Sequence, residues 1–136
     1  MSFDIFVQHF QNGETATFER KIAEDIFGPY AIQRDKNGGI MRIKYPDGGG
    51  ADVYGDKQEQ IDHLGFDRFG GDAFFDALLQ FANRIQGVIY WPGEGRCSAV
   101  TDPSIVAHLP AEFIEGCGQP VLVRDRKDLT DAIRQS

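Results

Sequence analysis

His63 and Asp67 stand four residues apart. An imidazole oriented by a carboxylate is the arrangement general-base catalysis uses. On a strand the two share a face but sit about 13 Å apart, too far for a direct hydrogen bond. On a helix they would meet, yet Gly65 and the following Gly70-Gly71 disfavour a helix there. Asp62 is adjacent to His63 and is expected on the opposite strand face. The segment, with Arg68 beside it, therefore reads as surface decoration before it reads as a catalytic dyad.

Nucleophilic chemistry has two cysteines to draw on. Cys97 follows Arg96, whose charge favours a thiolate, and Cys117 lies between Gly116 and Gly118. A cysteine hydrolase needs a histidine in reach, and His108 could reach Cys117 only through tertiary folding. The plainer reading makes both cysteines small, inert, partly buried residues. There is no G-x-S-x-G elbow.

The glycine-rich stretches invite a phosphate site. Gly48-Gly49-Gly50 and Gly93-Glu94-Gly95 each lead into an expected strand, whereas phosphate loops lead into a helix N-terminus. Glu94 would also repel an anion. Metal binding fares no better. His9, His63 and His108 are widely spaced, and Asp47, Asp52 and Asp56 lack the alternating ligands and closing Glu of a calcium loop. Turn chemistry explains those acids, and no cofactor is implied. Trp91, with the loop Pro92 to Arg96, is the strongest binding candidate, since Trp and Arg dominate interface hot spots. Core packing is the weightier alternative for a lone Trp. The candidate binding residues are thus Trp91, Glu94, Arg96, His63, Asp67 and Arg68.

These residues need a scaffold. Residues 3–10 alternate as a strand with Phe3, Ile5 and Val7 on one face and Phe6 and Phe10 on the other, apolar on both sides as a central strand is. Thr15 or Thr17 is expected to cap a helix with a Phe18–Ile22–Ile26 stripe, stopped by a left-handed Gly28 before Pro29. Residues 30–34 and 40–45 read as a hairpin around Asn37-Gly38, and 51–55 and 61–69 as further strands. The clearest helix is 72–86, capped by Asp72, ended by Gly87 and rich in Phe. Strands at 88–91, 97–101 and 121–123 follow. A short helix begins at Asp102-Pro103, one further turn spans 110–114, and a closing helix is capped by Asp125. Hairpin links without steady strand–helix alternation predict a single α+β domain over residues 1–136. Its sheet is expected to be mostly antiparallel, with a mixed sheet left open, and about three to four helices pack on it.

Charge narrows the function classes. The net charge of −7 repels a phosphate backbone, so no nucleic-acid partner is expected. It attracts a basic protein, although acidity also simply maintains solubility. The apolar runs are too short to span a membrane, and Met1 to Ile5 lacks the features of a signal peptide. A cytoplasmic location with reduced thiols is therefore expected. Three functions remain. The first is a non-enzymatic, inhibitor- or immunity-like protein-binding module. The second is an enzyme or small-molecule binder with a pocket between sheet and helices, using His63, Asp67, Arg68, Glu94, Arg96 or Cys97. The third is a structural homodimer, for which exposure of Phe75 or Phe81 would speak.

Overall fold

Alternation in the first strand frames the whole molecule. In β1 (Ile5–Gln8), Ile5 and Val7 are fully buried while Phe6 and Gln8 point to the other face. The computed structural model describes residues 3–136. A ribbon of β2 (Phe10–Gln11) and β3 (Glu14–Thr15) follows, then β4 (Phe18–Glu19) and α1 (Arg20–Phe27). A 3-10 turn at Gly28–Tyr30 leads to β5 (Ala31–Arg34), β6 (Ile40–Lys44), β7 (Gly50–Tyr54), β8 (Gln60–Ile61) and β9 (His63–Gly70). Next come α2 (Asp72–Ile85), β10 (Val88–Tyr90) and β11 (Ser98–Val100). A 3-10 turn at Pro103–His108, α3 (Ala111–Cys117), β12 (Val121–Leu122) and α4 (Arg126–Gln135) complete the chain.

Eight strands form one sheet in the order β12-β11-β10-β1-β9-β7-β6-β5. Every pairing is antiparallel except β11 with β12, so the sheet is mixed at one edge only. The α+β domain with a mostly antiparallel sheet expected from sequence is the one observed, and β1 is central. On the first face, α1, α2 and α4 cover Ile5, Val7, Val53 and Phe66. Phe66 meets the rings of Phe27 and Phe74 at 5.3 and 5.7 Å. On the second face the Pro103–His108 turn and α3 cover only the β10–β11 end, through Val88, Val100, Ile105 and Leu109 with Phe113 against Tyr90. The described residues place no helix over the second face of β1, β9, β7 and β6. No helix among the described residues is long and apolar enough to cross a membrane.

Several local expectations are corrected. Phe18 is not helical: it pairs with Ile61 across β4 and β8, and α1 starts only after it. The strand pairing outcompetes the helical stripe, so neither Thr15 nor Thr17 caps the helix, and Glu19 at the N-cap makes no side-chain cap bond. Gly28 has a right-handed φ of −56° and runs into the 3-10 turn, so it is not a left-handed stop. Gln86, not Gly87, takes the left-handed C-cap of α2. Asp102 and Asp125 do cap, accepting from the N–H groups of Ser104 and Asp128.

Asp72 does not cap α2 either. Gly71 is the N-cap, at φ +91°, and the capping carboxylate comes from a distant turn. Asp47 Oδ2 accepts from Ala73 N at 3.0 Å and its Oδ1 accepts from Gly49 N at 2.8 Å. These N–H donors hold the Asp47 carboxyl below its ordinary range, since they favour the charged form. A folded pKa below the unfolded one adds stability above the unfolded value and loses it as pH falls through the folded value. Asp47→Asn is therefore expected to lower the thermal midpoint at neutral pH and to match the wild type once Asp47 is protonated. Melting curves across the acid range check this.

Candidate functional site

The uncovered part of the second sheet face collects side chains from four strands. Alternation brings Phe6 from β1, Tyr54 from β7, Gly65 and Asp67 from β9 and Tyr90 from β10 to the same side. Phe6 stacks on Tyr90 with centroids 5.3 Å apart and meets Tyr54 edge-on at 6.4 Å. Gly65 makes room for this. A Cβ there would lie 2.3 Å from the Tyr54 ring, so the ring rests directly on the backbone of β9. A glycine inside a strand often marks such a close approach.

Carboxylates surround the rings. The Tyr54 hydroxyl donates to Asp4 Oδ2. Burial, then that hydrogen bond, then the charges of Asp4 and Asp67 push the Tyr54 phenol well above its ordinary range. Tyr90 is pushed up by burial and by neighbours that include Asp62, and its hydroxyl donates to Gln8 Oε1 at 3.2 Å. Among the described residues, no Lys or Arg forms an ion pair with Asp4, Asp62 or Asp67, whereas Asp52 nearby is held by Arg42 at 2.9 Å. The centre is thus aromatic, acidic and half-buried. Such a surface favours a cation, which gains both carboxylate and ring-face interactions.

The sequence candidates divide around this centre. His63 and Asp67 lie on the same face of β9, as alternation required, with no hydrogen bond between them. His63 Nδ1 instead sits 2.6 Å from Asp62 Oδ1. This corrects the expectation that Asp62 and His63 diverge: Asp62 occupies the break between β8 and β9, where strict alternation does not hold. Asp67 Oδ1 accepts from Arg68 N at 2.8 Å. Arg68 has φ +50° next to a register shift between β7 and β9. It lines a shallow groove of about 320 Å³ with Ile32, Arg42, Lys44 and Asp52.

Trp91 is buried at 2 % exposure, and its indole N–H donates to Ser136 Oγ at 2.9 Å. The core alternative describes its position. Glu94 is exposed in its loop. Arg96 is spent on backbone, with Nε donating to Gln119 O at 2.9 Å and Nη2 to Pro120 O at 3.0 Å. His108 accepts from Asn12 N at 3.1 Å and is not brought to Cys117.

Comparison with protein-family models, with curated proteins and with solved structures finds no match to this chain. The chemistry is therefore read from geometry alone. Among the described residues, no group of three or more His, Cys, Asp or Glu is placed to hold a metal ion. Between α1 and the sheet lies a small gap of about 20 Å³, lined by Ala23, Met41, Val53 and Leu64. The largest surface cleft described, about 630 Å³, lies instead between α1 and the Lys57–Gln60 loop. There Arg34 is already paired with Glu24 at 2.9 Å, and Arg20 donates to the carbonyls of Lys57 and Gly38. On the Phe-rich face of α2, Phe81 is fully buried and Phe75 is half-buried against Phe69 and Phe74. Exposed large apolar residues sit elsewhere, with Tyr30, Ile32 and Ile40 near the free β5 edge.

Sequence reasoning missed Asp4, Phe6, Tyr54 and Tyr90 as a group. Two signals existed: the apolar Phe6 on the face opposite Ile5 and Val7, and Gly65 within a strand. Neither names the partner strand, and strand order decides which residues meet.

Proposed function

We propose that this protein is a binding module that receives an arginine- or lysine-bearing segment of a basic protein partner on the uncovered part of its sheet. One observation carries the reading: Asp4 and Asp67 flank Tyr54, beside Phe6 and Tyr90, and among the described residues no Lys or Arg forms an ion pair with either carboxylate. A partner's guanidinium would supply the missing counter-charge and lie against the rings. The net charge of −7 supports the same reading, because it steers a basic partner during encounter and makes association sensitive to salt. A non-enzymatic role fits a face that presents acids and aromatics without a nucleophile and base in contact.

The test is an amide-resolved NMR titration of the full chain with a peptide of alternating Arg and Gly, and with a matched Glu and Gly peptide as control. The expected result is saturable, salt-sensitive shifts centred on Phe6, Tyr54, Gly65 and Asp67 with the basic peptide only. The Asp4→Asn/Asp67→Asn double variant is expected to weaken binding by about tenfold or more, the scale of a lost charge-pair contribution. Equal binding by that variant, or shifts confined to other surfaces, would sink the proposal.

A further inference from the structure

We propose that Cys97 and Cys117 form a dithiol modification site, oxidised to an intrachain disulfide by a low-molecular-weight disulfide such as oxidised glutathione. The inference is independent of the acidic face. Cys97 N donates to Cys117 O at 2.9 Å, and Cys97 Sγ lies 3.8 Å from that same oxygen. Backbones joined by a direct N–H···O bond meet the short Cα separation that a disulfide needs.

The surrounding bonds hold the two segments together without help from sulfur. Arg96, one residue before Cys97, donates to the carbonyls of Gln119 and Pro120, just beyond Cys117. Glycines permit the approach. A Cβ at Gly93 would stand 3.1 Å from Cys97 Cβ, and one at Gly118, where φ is +73°, would stand 2.9 Å from Gly95 O. Bond formation thus asks for little backbone movement.

Exposure sets the order of events. Cys97 is buried and Cys117 half-buried, so Cys117 meets the oxidant first. Its thiolate attacks one sulfur of oxidised glutathione, forming a mixed disulfide and releasing one glutathione thiolate. The Cys97 thiolate then attacks Cys117 Sγ and expels the second glutathione. Two protein thiols are oxidised and one glutathione disulfide is reduced to two thiols, which carry away the two protons. Burial and the neighbouring Cys97 push the Cys117 thiol up to about 11, which makes the first step slow at neutral pH. Its rate is expected to rise about tenfold per pH unit across roughly pH 7 to 9, following the thiolate fraction.

The full chain is incubated with oxidised glutathione under native conditions and followed by intact mass and thermal melting. Expected is the loss of two hydrogens with no glutathione retained, in a monomer, with an upward shift in melting midpoint on the order of 10 °C reversed by dithiothreitol. Cys97→Ser is expected to stop at the glutathione adduct, and Cys117→Ser to keep its mass unchanged. A stable adduct on the wild-type chain, a disulfide-linked dimer, or an unchanged mass across the whole pH range would each overturn the proposal.

Discussion

Trp91→Ala is expected to cost about 3–5 kcal/mol of folding stability, the range for removing a buried large aromatic. A domain of this size holds roughly 5–15 kcal/mol in total, so much of the margin would go. The loss has two sources. The indole lies in the same core as Ile89 and Leu129, and truncation leaves a cavity there. Its N–H also donates to Ser136 Oγ, which in turn donates to Ile133 O at the end of α4. Trp91→Phe keeps most of the volume and gives up the hydrogen bond, so a smaller cost of about 1–2 kcal/mol is expected. Urea unfolding followed by circular dichroism measures both. A Trp91→Ala cost below about 1 kcal/mol would contradict the buried role, given the usual scale of core truncations.

Gly65→Ala acts at the proposed binding centre, and its effect is expected to fall on recognition as well as on folding. The new methyl would stand 2.3 Å from Tyr54 Cζ and 2.7 Å from its hydroxyl oxygen. Something must move, and the Tyr54 ring is the movable part because its far end borders the open face. Displacing it breaks the bond to Asp4 and separates the ring from Phe6. A stability cost of about 1–3 kcal/mol is expected, as for other overpacking substitutions. Binding of the basic peptide should drop by at least as much as in the Asp4→Asn/Asp67→Asn variant. The displacement itself has a direct readout. Tyr54 in the wild type resists ionisation well above the usual phenol range, and in Gly65→Ala it should titrate nearer the ordinary value of about 10. An unchanged tyrosine titration would mean that the backbone, not the ring, had given way.

Local pattern carried much of the fold. The alternation of Ile5, Phe6 and Val7, the hairpin of 30–34 with 40–45 and the Phe-rich helix read at 72–86 each arise from neighbours in sequence, and each is observed, the helix over Asp72–Ile85. The misses share one cause. Phe18 left its helical stripe because Ile61 offered a strand partner, and Asp72 lost its capping role because Asp47 arrived from another turn. In both places a distant residue outcompeted a local preference. The candidate site failed for the same reason. His63, Asp67 and Arg68 were legible because they are contiguous, but Asp4, Tyr54 and Tyr90 join them only through the order β10-β1-β9-β7. Trp91 had the composition of a hot spot, but it is buried and its indole N–H is taken by Ser136, the C-cap of α4, which is distant in sequence.

The central place of β1 also bears on how the chain is made. Its two neighbours are β9 and β10, so neither edge of Ile5–Gln8 finds its partner until residues 63–90 exist. At about 5–20 residues per second, a ribosome leaves that first strand waiting on the order of ten seconds. Throughout that time the apolar Ile5, Phe6 and Val7 are at hand for any other strand or for a chaperone. Yield in the cell should therefore depend on what shelters the nascent N-terminal segment as well as on the stability of the finished sheet.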